Sequence, residues 1–118
     1  MIELFNKLIE VRDISHQIHL NQSETQAKHE ALGDFYEALL DHFDLLVEVY
    51  QGQFGLVDNF GEFKGVEYED HIKYFTDFAT YVNSKRSEIK EEAKHLNTII
   101  DEILIDTYKL LYKMKNLK

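Results

Sequence analysis

The sequence predicts an all-α fold, a four-helix bundle, on three observations. Proline is absent and only 5 glycines occur, so residues that break helices are rare. Apolar residues recur at steps of three and four along most of the chain. At 118 residues the chain has room for one hydrophobic core. We therefore expect a single domain over residues 1–118.

The first two helices are predicted over residues 2–20 and 24–50. Ser23 and Gln26 form a Ser-x-x-Gln capping box, which marks the start of the second helix. The inward residues predicted for the first helix are Phe5, Leu8, Ile9, Val11, Ile14 and Ile18. Those predicted for the second are Leu32, Phe35, Leu39, Phe43, Leu46 and Tyr50.

A long segment at 51–65 follows and holds four of the five glycines. We expect Phe54, Phe60 and Phe63 to pack it onto the bundle. About 15 residues at about 3.3 Å each can travel the length of a bundle. The sequence therefore predicts a long crossover loop between helices 2 and 3, and with it the up-down-down-up order of a ferritin-like bundle.

The last two helices are predicted over residues 67–91 and from Asn97 or Thr98 to about 116, with a break near 94–97. Each carries an apolar stripe at helical spacing. The inward residues predicted for the third helix are Ile72, Phe75, Phe78, Ala79, Val82 and Ile89. Those predicted for the fourth are Ile99, Ile100, Ile103, Leu104, Tyr108, Leu111 and Met114, and we expect Tyr112 in the core as well.

The charge balance and the missing cysteine exclude several classes of function. The chain has 13 Lys and Arg against 22 Asp and Glu, a net charge of −9, which disfavours binding to DNA. Without cysteine there is no disulfide, thiolate nucleophile or Cys-based zinc site. No apolar run approaches the roughly 20 residues that span a bilayer, and no signal peptide is recognisable. We expect a cytoplasmic protein that attracts metal cations.

The second helix carries a candidate metal site. On it, Asp44 and Glu48 are one turn apart and can grip one cation, but His29 lies about 22 Å away along the axis. One chain cannot bring all three to one metal. Two copies of the helix packed antiparallel can, about a twofold axis between Glu37 and Ala38. The sequence thus predicts an intersubunit site, made twice in each homodimer.

Residues 29–48, from His29 to Glu48, closely resemble the second helix of the Dps family of mini-ferritins, including the His…Asp-x-x-x-Glu spacing. The resemblance implies that His19 joins His29 as a ligand from one subunit, with Asp44 and Glu48 from its neighbour. It also implies oxidation of Fe(II) by peroxide or oxygen, and storage of iron in a hollow homo-oligomer, usually a dodecamer. Zinc or manganese would suit the same ligands.

The chain departs from that family at several positions. Gly33 stands where the family has an additional Asp, and Leu20 where it usually has Trp. Asp34 or Glu37 could replace the missing ligand. The sequence also resembles uncharacterised ferritin-like proteins of bacteriophages. The alternative is therefore a non-enzymatic oligomer with a degenerate metal site, an accessory protein that binds a host protein or a small ligand.

Overall fold

The computed structural model describes residues 1–21, 24–58, 68 and 70–117, and within these ranges all regular structure is helical. The prediction of an all-α four-helix bundle is confirmed. The helices are α1 (Ile2–Asn21), α2 (Gln26–Phe54), α3 (His71–Ser84) and α4 (Leu96–Asn116). Two short 3₁₀ helices, Lys85–Glu88 and Glu91–Ala93, connect α3 to α4.

The helix ends differ from the predicted ones. Helix α2 begins after Thr25, whose hydroxyl accepts a hydrogen bond from the Lys28 backbone N–H, so the predicted capping box does not start it. Ser23 itself lies outside the described residues. Helix α3 begins after Asp70, whose carboxylate accepts from Ile72, and it is shorter than predicted. It ends at Ser84 because the polar segment that follows carries few apolar residues for a core-facing stripe.

Contacts between helices fix their directions. The end of α1 contacts the start of α2, so these two helices are antiparallel. Near the start of α3, Tyr74 contacts Glu10 of α1, and Lys85, just after α3, contacts Glu3 near the start of α1. Helix α3 is therefore antiparallel to α1. Helix α2 is likewise antiparallel to α4, because its end, at Gln53, reaches Glu92 just before α4. The order is therefore up-down-down-up, as predicted, and α2 ends at the opposite end of the bundle from the start of α3.

The core is a continuous apolar cluster contributed by all four helices. Its largest fully buried side chains include Phe5, Phe75 and Phe78. The six inward residues predicted for α1 are all buried. The prediction that Tyr108 and Tyr112 lie in the core is wrong: they are 54% and 67% exposed.

The predicted packing of the 51–65 segment is only partly covered by the described residues. Phe54 is the last residue of α2 and is 41% exposed. Phe60 and Phe63 lie outside the described residues. None of the described helices combines the length and the apolar character that crossing a bilayer requires.

Candidate functional site

The end of α1 and the first turn of α2 meet through two histidines. The rings of His19 and His29 stack with centroids 3.9 Å apart and planes inclined by 16°. His19 Nδ1 lies 2.7 Å from the backbone oxygen of His29, and His29 Nδ1 lies 2.6 Å from that of His19. Since a carbonyl oxygen can only accept, both Nδ1 atoms donate. In the neutral rings the lone pair is therefore on Nε2, an atom through which imidazole binds metals.

Two further rings extend this pair into a column. His16 lies one turn before His19 on α1, and their ring centroids are 6.4 Å apart at 18°. Tyr36 of α2 stacks on His16, with ring centroids 4.3 Å apart and planes inclined by 13°. The column of His29, His19, His16 and Tyr36 contributes side chains from both helices to the contact between them. Sequence reasoning missed His16 and Tyr36, although the spacing of His16 and His19 places both on one face of α1.

Gly33 makes room for this column. A Cβ atom at Gly33 would lie 2.9 Å from Cε1 and 3.2 Å from Nδ1 of His19, closer than carbon and ring atoms normally approach. The His19 ring cannot easily give way, because it stacks on His29 and hydrogen-bonds to its backbone. An Asp at position 33, the residue that the Dps family has there, would bring its Cβ into the same close contact with the ring. Glycine here is a consequence of the histidine packing.

The stacked rings do not point at a common ion. The lone pair of an imidazole nitrogen lies in the plane of its ring, and a metal binds in that plane at about 2.0–2.1 Å. The near-parallel planes of His19 and His29, with centroids 3.9 Å apart, do not meet at that distance. For both rings to bind one metal, one of them has to turn, and its hydrogen bond from Nδ1 has to break.

The carboxylate ligands predicted from the sequence lie elsewhere on α2. Asp44 and Glu48 are exposed and one turn apart. In the described part of the chain, no group of three or more His, Asp and Glu side chains is placed to hold a metal ion. A site built from His19, His29, Asp44 and Glu48 therefore needs a second copy of the chain.

An acidic stripe runs along the exposed face of α2. Its members are spaced alternately by four and three residues, so they share one side of the helix. They are Glu30, Asp34, Glu37, Asp41, Asp44 and Glu48, all exposed. None of them forms an ion pair with a Lys or Arg within the described ranges. The stripe contains the predicted Asp34 and Glu37, and it concentrates negative potential along one helix.

His42 lies against a carboxylate on another helix. Its Nδ1 is 3.1 Å from Oδ2 of Asp106 on α4. Both atoms are buried, and their angles do not suit a hydrogen bond. The contact borders a surface groove of about 250 Å³ between α2 and α4, whose walls include Asp34, Lys109 and Lys113. The sequence feature that could have predicted this contact is the position of His42 next to Phe43, in the apolar stripe of α2.

Comparison with known protein families gives a match over most of the chain. A family model described as a family of unknown function (DUF5856) matches residues 19–114, which include the four predicted ligands. Neither the curated proteins nor the solved structures contain a match to the chain.

Proposed function

Because the chain belongs to the DUF5856 family, whose function is unknown, we propose a function from its own residues: it is a ferritin-like subunit that binds Fe(II) between two copies. His19 and His29 of one copy and Asp44 and Glu48 of the other are the ligands. Oxygen or peroxide oxidises the bound iron, which a hollow homo-oligomer then sequesters in the cytoplasm. Zinc and manganese fit the same ligand set.

The observation that carries this proposal is the pair of reciprocal hydrogen bonds between His19 and His29. Metal-bound histidines generally donate their second ring N–H to a carbonyl or a carboxylate, which orients the ring and fixes the tautomer. Both histidines donate in this way from Nδ1 to backbone oxygens. Both therefore have the tautomer that a metal on Nε2 requires. When the metal binds, one ring keeps its hydrogen bond and the other turns out of the stack.

The carboxylate half of the site is supported by the exposed face of α2. With two α2 helices antiparallel about an axis between Glu37 and Ala38, Asp44 and Glu48 lie opposite His29 of the second copy. The same pairing brings Asp34 opposite Asp41 of the second copy. Two acidic stripes then face each other, and carboxylates so placed repel unless cations lie between them. The proposed dimer is therefore held by the metal that it binds.

A second candidate function is the non-enzymatic oligomer, and the stacked histidines favour it. As they lie, His19 and His29 join α1 to α2 through direct ring stacking and reciprocal hydrogen bonds, and Gly33 fits that closed arrangement. In this case the ring column is a purely structural contact. The chain would then act by binding a host protein or a small ligand.

Two charge-matched variants separate these functions. Glu48→Gln removes a proposed ligand, and Asp41→Asn removes the same charge from the same face without touching the ligand set. We expect the wild type to oxidise Fe(II) well above the buffer rate, and Glu48→Gln to bind the metal about tenfold more weakly or worse. Asp41→Asn should keep most of the activity.

The readouts are absorbance of ferric product in air and calorimetric titration with Fe(II) without oxygen. Equal loss in the two variants would mean that only net charge matters, which contradicts a defined site. A wild type that oxidises iron no faster than buffer and takes up no metal would leave the non-enzymatic function.

A further inference from the structure

The outer face of α4 carries three large apolar side chains in contact with water. Ile105, Tyr108 and Tyr112 are 51%, 54% and 67% exposed. Their spacing of three and four residues places them in one stripe along the helix. Such a stripe is the usual seam of a helix–helix contact. The exposed stripe of α2, by contrast, is acidic.

Charged residues flank the stripe asymmetrically. Glu102 lies toward its N-terminal end, and Lys109 and Lys115 lie toward its C-terminal end. All three are exposed, and none of them forms an ion pair with another described residue. Asp101 is different, because it pairs with Arg86 of the connecting turn. The acidic Glu102 therefore precedes the apolar stripe, whereas Lys109 lies in its second half and Lys115 follows it.

We propose that this face of α4 binds the same face of a second copy of the chain, with the two helices antiparallel. About a twofold axis between Asp106 and Thr107, Ile105 lies opposite Tyr108 of the second copy. Glu102 then lies within about 3 Å, along the axis, of Lys109 of the second copy. The twofold symmetry makes each of these contacts twice.

Charge complementarity selects this occupant and this orientation. In the antiparallel pair the acidic end of each helix meets the basic end of the other. In a parallel pair Glu102 would face Glu102 and Lys109 would face Lys109, which is destabilising. One helix face buries less than the roughly 800 Å² per partner of a typical stable interface. The contact therefore forms reversibly and depends on protein concentration.

This contact is independent of the proposed metal site, because it uses α4 and not α2. It does not need an ion, since its own charges are balanced. In an assembly that has both contacts, the α2 faces would join copies through metal and the α4 faces would join the resulting pairs. A chain with two self-complementary faces can build a closed oligomer larger than a dimer.

Charge reversal with rescue tests the proposal. We would measure the dimer dissociation constant of the full chain by sedimentation equilibrium in EDTA, which removes metal-dependent contacts. Glu102→Lys and Lys109→Glu should each weaken the dimer about tenfold, because each reversal affects two symmetry-related pairs. The double variant restores both pairs with their signs exchanged, so its dissociation constant should return to within about threefold of the wild-type value.

Two further variants identify the surface. Asp77→Lys makes the same change in net charge as Glu102→Lys at an exposed position of α3, outside both proposed faces, and should leave the dissociation constant unchanged. Tyr108→Ser removes apolar contact from the centre of the stripe and should abolish the dimer, while circular dichroism remains that of the wild type. A wild type that stays monomeric in EDTA, a double variant without rescue, or a dimer that Asp77→Lys weakens would each overturn the proposal.

Discussion

Helix α1 is held to its neighbours by two polar contacts that are built differently. Midway along α1, Glu10 accepts hydrogen bonds from Tyr74 of α3 at 2.7 Å and from Lys7 at 2.8 Å. Glu10 is 8% exposed, and Lys7 also lies over the ring of Tyr74. At the C-terminal end of α1, His19 stacks on His29 of α2, and both side chains are only partly buried.

The difference lies in what each contact can still do chemically. The Glu10 cluster has matched its charges and donors inside the protein, so its role is to hold α3 against α1. In the histidine column both Nδ1 atoms donate to backbone oxygens, and Nε2 is an atom through which imidazole binds metals. The Glu10 cluster therefore only stabilises the fold. The histidine column also stabilises the fold, and in addition it contains side chains of a type that binds metals.

The largest effect is expected at Glu10. Glu10→Ala leaves the buried hydroxyl of Tyr74 without its acceptor and Lys7 without its counter-ion. We expect the free energy of unfolding to fall by about 3 kcal/mol. Glu3→Ala is the control, because Glu3 pairs with Lys85 at an exposed position and its loss should change little. Urea unfolding measures both, and equal losses would contradict a special role for the Glu10 cluster.

The same cluster predicts how stability depends on alkaline pH. Burial, and then the hydrogen bond to Glu10, raise the pKa of Tyr74 well above its ordinary value. Above about pH 10 the unfolded chain releases this proton and the folded chain keeps it, so unfolding becomes more favourable as the pH rises. The part of the stability that depends on the Tyr74 proton is therefore fully present below about pH 10 and is lost as the pH rises above it.

The variant Tyr74→Phe has no phenol proton at this position, so the proton no longer contributes to the pH dependence of unfolding. Its free energy of unfolding should fall less steeply between about pH 10 and 11.5 than that of the wild type, by up to about 1.4 kcal/mol per pH unit. Unfolding by urea at a series of alkaline pH values measures the two slopes. Parallel slopes would show that Tyr74 titrates alike in both states.

Replacing each of two glycines of α2 by Ala is expected to change the free energy of unfolding by a smaller amount, and in opposite directions at the two positions. Replacing a helical Gly by Ala ordinarily stabilises by up to about 1 kcal/mol. Gly52→Ala should do so, because nothing lies within 4 Å of the added Cβ. Gly33→Ala should instead destabilise by about 1–2 kcal/mol, since it displaces His19 and costs the stack and a hydrogen bond.

A double-mutant cycle shows whether His19 is the cause. In a His19→Ala chain the ring is gone, so Gly33→Ala should become stabilising, as Gly52→Ala is. Thermal unfolding of the four chains gives the coupling energy. If Gly33→Ala stabilises the wild type, position 33 does not make room for the ring.

The sequence predicted most of the fold because helical periodicity and the missing proline report directly on helices. It placed the end of α3 at 91 and not at Ser84, because Ile89 continues an apolar spacing that the backbone does not follow. It placed Tyr108 inside because Tyr108 continues the steps of Leu104 and Leu111. Periodicity shows which side of a helix faces the core but not how wide the buried side is, and Tyr108 lies just outside it.

The candidate site was predicted less completely, for a related reason. Spacing along α2 identified His29, Asp44 and Glu48, and the family resemblance added His19. Neither could give the stacking of His19 on His29 or the role of Gly33, since both depend on how closely α1 approaches α2. His16, Tyr36 and the contact of His42 with Asp106 were missed because their partners lie on other helices.

The claim that the metal site is shared between two copies is tested most directly by mixing two inactive variants. One carries His19→Ala and His29→Ala, and the other carries Asp44→Asn and Glu48→Gln. Each alone should fail to bind and oxidise Fe(II). After unfolding and refolding together, mixed dimers regain one complete site each, so about a quarter of the wild-type sites should return. Calorimetric and absorbance measurements that find no recovery in the refolded mixture would contradict a site shared between subunits.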